Sequence, residues 1–156
     1  MTKPPWLLAL LLWTLLAAFC LRVVGQALVA FWDVNWLPPM DAWYSGLLPY
    51  PYLLPAQVLI IALYGKVCVD VTRGEGLFVQ PRPMFGRAVL VFGYVYLAAM
   101  VLRYVIRMSL YPEARWFGGT IPIVFHWVLA AFIIVFGRYH RDRMRKAASP
   151  DAHHAH

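Results

Sequence analysis

Four apolar runs, each long enough to cross a bilayer, decide what this chain can become. They cover about 6–31, 52–71, 88–109 and 120–139. A helix rising 1.5 Å per residue needs about 20 residues to span a hydrocarbon core of about 30 Å. The third and fourth runs are the clearest, "AVLVFGYVYLAAMVL" and "IPIVFHWVLAAFIIVF", while Lys66 and Asp70 trim one end of the second. The expected fold is all-α: a polytopic membrane protein whose four transmembrane helices form an antiparallel bundle in sequence order. Composition agrees, because 62% hydrophobic and 13% charged residues leave too little polar surface to cover a water-soluble globule. One transmembrane domain over 1–146 is expected, followed by a flexible tail over 147–156.

The first run is too long for the apolar core of a signal peptide, and no small-x-small cleavage site follows it. Phe19 before Cys20 also spoils a lipoprotein-type processing site. Cys20 and Cys68 are too far apart in sequence for a thiol-redox pair and are expected at different depths, as small apolar filler.

Basic residues set the orientation. With both termini cytoplasmic, the inner side holds Lys3, Lys66, Arg73, Arg82, Arg87, Arg138, Arg141, Arg143, Arg145 and Lys146. The outer side then holds only Arg22, Arg103, Arg107 and Arg115. The expectation is N-in/C-in in a bacterial inner membrane. Although the net charge is +7, its placement at the ends of apolar segments makes it a topology signal, and nucleic acid is not an expected partner. The expected partners are the lipid bilayer and either other membrane subunits or further copies of the chain.

Two loops carry the punctuation. "WDVNWLPPMDAWYSGLLPYP" has no basic residue and is crowded with aromatic rings that favour the headgroup level, so it is expected to lie along the outer interface as an aromatic belt, with an aromatic lid over a pocket as the alternative. Its prolines exclude a continuous helix but permit a short helical turn. "RGEGLFVQPRPMFGR" reads as a turn between helices. Beyond Tyr139 the fourth helix is expected to continue for two turns.

Ionisable and amide groups inside membrane spans are costly and are therefore candidates for function. Arg22 and Gln26 stand one turn apart on one face, Gln57 follows the outer end of the second span, Arg103 and Arg107 share a face of the third, and His126 lies two turns into the fourth. Every span thus places a polar group in the outer half of the membrane, while the inner stretches carry no charge. Two uses compete for this layer. Asp33, Asp41 and Glu113 could pair with the arginines and lock the helices to the outer loop. Alternatively, guanidinium forks could cradle a phosphate or carboxylate, with Gln26, Gln57 and His126 adding hydrogen bonds.

No catalytic residues emerge. Ser109 and Thr120 have no base placed by spacing, and no phosphate loop or metal-ligand cluster is visible. His126 could ligate a haem, but His140 is about 21 Å further along the same helix at the usual rise, so one haem could not join the two. No cofactor is expected. The leading expectation is a non-enzymatic accessory or scaffolding subunit. A binder or carrier of an anionic lipid or small anion comes second, and a membrane enzyme acting on a lipid head group third.

Overall fold

In the computed structural model, residues 5–43, 49–80, 82–112 and 120–147 are described, without the side chains of 5, 83, 120 and 144–147. They form five helices and no strand: α1 (Pro5–Trp32), α2 (Met40–Trp43), α3 (Tyr50–Arg73), α4 (Pro83–Leu110) and α5 (Thr120–Ala147). Four of them are long and apolar enough to cross a membrane. Each long helix overruns its expected span. Pro51 sits in the first turn of α3 and Pro83 opens α4, positions where a missing N–H costs nothing. α5 runs on to Ala147.

The helices do not simply follow one another around a bundle. α5 packs along α4 and α1, and α1 packs in turn on α3. The first and last long helices therefore form the centre, while α3 and α4, consecutive in sequence, flank it. Exposure follows the same order: 44% of the apolar window of α5 is buried, against 11% for α4.

Glycines let α4 approach α5. A Cβ on Gly137 would lie 3.0 Å from the Leu90 backbone, and one on Gly93 would lie 2.8 Å from Ile134. Such approach lets dispersion and backbone contacts hold helices that gain no hydrophobic driving force from lipid. On the other side of α5, the Phe132 ring stacks on Tyr64 of α3 with centroids 3.9 Å apart. Leu12, Leu16, Val67, Cys68, Phe132 and Phe136 form the main core cluster.

Cys20 packs against the cluster that contains Cys68, so the two thiols share a level of the core and are not separated in depth as expected. Both are free. Sequence distance misleads here because α1 and α3 meet along their length, joining Trp13 to Thr72 and Gln26 to Gln57.

The connection after α3 is tied down by one carboxylate. Gly74 closes α3 in the left-handed conformation (φ 72°) and donates its N–H to the Asp70 carbonyl at 2.9 Å, the usual use of glycine at a helix end. The Asp70 side chain pairs with Lys66 and accepts the Phe78 N–H at 3.2 Å. Gly76 (φ 118°) passes so close that a Cβ there would overlap this carboxylate. Phe78 and Val79 are thereby folded against the helices.

Candidate functional site

α1 presents Arg22, Gly25, Gln26 and Val29 at helical spacing on one face, and all four are buried. Gln26, fully buried, is the hub. Its Oε1 accepts from Arg22 Nη1 at 3.2 Å and from Gln57 Nε2 of α3 at 3.1 Å. Two buried side chains from different helices thus converge on one amide oxygen, which places three of the expected site residues in a single network.

The other Arg22 donor reaches an unexpected partner. Nη2 donates to the Trp43 carbonyl at 3.3 Å, and the guanidinium stands 5.7 Å from the centroid of the Phe125 ring. Trp43 ends α2, where helical carbonyls lack intrahelical partners. Ten residues separate Arg22 from Trp32 at the end of α1, about 15 Å at the helical rise. The described part of the aromatic loop, 34–43, therefore folds back along α1. α2 dips between α1 and α5, with Ala42 and Trp43 buried. Non-helical backbone at membrane depth is tolerated where protein covers it and satisfies its polar groups, and Arg22 does this for Trp43. The indole seats on Gly25, where a Cβ would lie 2.9 Å from Cη2, and its Nε1 donates to the Pro38 carbonyl at 2.8 Å.

The remaining polar groups gather beside this network. His126 of α5 hydrogen-bonds through Nδ1 to the Tyr96 hydroxyl of α4, and Phe92 stacks on Tyr96. Arg103 is half-buried on α4. Arg107, one turn further on, is half-buried and has partners of its own.

Two of the expected acidic partners, Asp33 and Asp41, form no ion pair among the described residues. Asp33 and Asp41 are exposed, and the ion pairs among the described residues are Lys66–Asp70 and Arg141–Asp142. Asp33 instead ends α1, at φ 47°, donating its N–H to the Val29 carbonyl at 3.2 Å. Glu113 and Arg115 lie outside the described residues.

Arg22 is 7% exposed and is held by neutral acceptors and a ring face. Its Nε, Gln26 Nε2 and Gln57 Oε1 are buried without a hydrogen-bond partner among the described residues. Leaving such groups unpaired costs about 1–3 kcal/mol each. The layer therefore has hydrogen-bonding capacity left over, and positive charge without a described carboxylate to neutralise Arg22 or Arg103.

Two members of the site, Tyr96 and Trp43, were not anticipated. Tyr96 stands seven residues before Arg103 and so shares its helix face, a spacing that could have flagged it. Trp43 gives no such signal, because only the tertiary fold brings it to Arg22. His140, 1% exposed, is enclosed by Phe85, Phe136 and Tyr139. Both of its ring nitrogens are buried without a hydrogen-bond partner among the described residues. Among the described residues, no group of three or more His, Cys, Asp or Glu could hold a metal ion. No family model, curated protein or solved structure matches the chain.

Proposed function

We propose that this chain is a non-enzymatic binder of an anionic lipid head group, working in the outer half of a bacterial inner membrane with both termini cytoplasmic. The observation that carries the reading is the buried Arg22–Gln26–Gln57 network with hydrogen-bonding capacity left over, neither Arg22 nor Arg103 being paired with a carboxylate among the described residues. Arginine offers a planar fork of donors that matches phosphate. Arg103 is the open half of the site. It stands on α4, the helix least covered by the rest of the protein, so a head group would enter sideways from the bilayer. Gln26 and Gln57 would supply hydrogen bonds from the covered side.

Contacts between the long helices support an antiparallel bundle. Trp13–Thr72 and Gln26–Gln57 run in opposite senses along α1 and α3. Gly93–Ile134 and Gly137–Leu90 do the same along α4 and α5. The ten-to-four bias of basic residues supports N-in/C-in.

Native mass spectrometry of the gently extracted protein tests the reading. Wild type is expected to retain phosphatidylglycerol or another acidic lipid, and Arg103→Gln to retain less by about tenfold, the loss of one charge-assisted contact. Equal retention by the two proteins would overturn it.

A scaffolding or accessory subunit is the second reading. It is favoured by the bond from Arg22 to Trp43, which spends part of the polar layer on holding the outer loop. A heterologous protein partner retained in the same spectrum, without acidic lipid, would support it over the first.

A further inference from the structure

The bond that makes Arg22 look structural also gives it a means of control. We propose that the segment 34–43, with α2 at its end, is a lid over the polar layer, and that an anionic oxygen displaces it by taking the place of the Trp43 carbonyl on Arg22. This rests on the head-group reading above and adds how the site opens.

The segment is built as a unit that can move as one. Its own bonds are internal: Leu37 N–H to the Val34 carbonyl at 3.3 Å, Ala42 N–H to the Pro39 carbonyl at 2.9 Å, and the Trp43 indole to the Pro38 carbonyl at 2.8 Å. It leaves α1 through Asp33, whose left-handed backbone (φ 47°) turns the chain. Asp is one of the few non-glycine residues to adopt that conformation routinely. Rotation about such a residue swings the segment without unwinding α1.

What holds the segment down is replaceable. Among the described residues, its hydrogen bond to the site is that of Arg22 Nη2 to a neutral carbonyl, at 3.3 Å, long for this type of bond. A phosphate oxygen in the same place sets a full negative charge against the guanidinium and can take two of its N–H donors at once, a pairing that a neutral carbonyl does not make. The exchange leaves the Trp43 carbonyl free to meet water or head groups once the segment rises. The rest of the hold is packing, the indole on Gly25 and Ala42 against its neighbours. Ala42 is 6% exposed, so its exposure reports the position of the lid.

The test uses a cysteine-free background (Cys20→Ala, Cys68→Ala) carrying Ala42→Cys, reconstituted in nanodiscs and labelled with a water-soluble maleimide. Three conditions are compared: phosphatidylcholine alone, phosphatidylcholine with inorganic phosphate, and an equal mixture with phosphatidylglycerol. Labelling is expected to be slow in the first and about tenfold faster in the third, the response of a two-state lid to a ligand that prefers one state. Acceleration by inorganic phosphate alone would keep the lid and identify a free anion as the ligand. Arg103→Gln should remain slow in all three, while Arg22→Gln, lacking the latch, should be fast in all three. Hydrogen exchange of residues 34–43 in the unmodified protein gives the same comparison if Ala42→Cys folds poorly. Equal rates in all conditions, with acidic lipid still retained in the mass spectrum, would overturn the lid and leave the site standing. Absence of any retained acidic lipid or phosphate would overturn both.

Discussion

Gln26 Oε1 accepts from Arg22 and from Gln57, so replacing either glutamine removes a different number of bonds. Gln57→Leu loses one partner of Gln26 and also removes the unpaired Gln57 Oε1. Gln26→Leu strands a buried guanidinium nitrogen and a buried amide together. Thermal or denaturant unfolding in detergent should show Gln26→Leu as the more destabilising, by about 1–3 kcal/mol relative to Gln57→Leu. Equal losses would mean that the shared oxygen is not the hub. Gly25→Ala belongs to the same face: its Cβ would press on Trp43, and overpacking of this kind costs about 1–3 kcal/mol. Much of this face was legible in the chain. The spacing of Arg22 and Gln26 places them on one side of a helix, and depth alone aligns Gln57 with them. The partner of Arg22 was not legible. Sequence reasoning offers a charged residue its nearest charges, here Asp33 and Asp41, whereas the fold gives Arg22 the carbonyl at the end of a four-residue helix.

At the scale of elements, close approach of α4 and α5 is the contact most exposed to a single methyl group. A Cβ on Gly137 would meet the Leu90 backbone at 3.0 Å, and backbone cannot swing aside as a side chain can. Gly137→Ala should therefore lower the unfolding midpoint clearly, with a cost of about 1–3 kcal/mol. Gly65→Ala is the control. Its nearest neighbour is Leu16 at 4.0 Å, ordinary contact, so the change should be neutral or stabilising by up to about 1 kcal/mol through helix propensity. Gly25, Gly65, Gly93 and Gly137 all lie within long helices, and the packing distinguishes them. Asp70 plays the comparable part for the α3–α4 connection. Asp70→Ala removes the acceptor for Phe78 N–H and the partner of Lys66, so limited proteolysis within 74–80 should accelerate while the long helices stay intact. Unchanged cleavage would show that packing of Phe78 and Val79 suffices. That connection reads as a simple turn in the sequence, since glycine and proline punctuation announces a reversal but not the carboxylate beneath it.

For the whole molecule, length and hydropathy were enough to locate four membrane-length helices, because a bilayer leaves few alternatives for apolar runs of that size. Their arrangement was not readable the same way. Sequence order suggests neighbours, yet α1 and α5 form the centre and α3 and α4 the flanks, an outcome of glycine and aromatic fit that no hydropathy profile contains. The central position of α5 also lets it meet groups from both sides, Tyr96 of α4 through His126 and Arg22 of α1 through the Phe125 ring. This layout leaves broad apolar faces exposed and keeps Arg22, Gln26 and Gln57 covered, with Arg103, Arg107 and His126 half-buried beside them. Photo-crosslinking with a phosphatidylglycerol analogue carrying the reactive group at its head tests that layout most directly, using the unmodified protein in a bilayer. Adducts are expected within 22–29 of α1 and 96–107 of α4, and a phosphatidylcholine analogue should give none there. Adducts spread evenly over the apolar faces of α3 and α4, or identical for the two lipids, would contradict a head-group site.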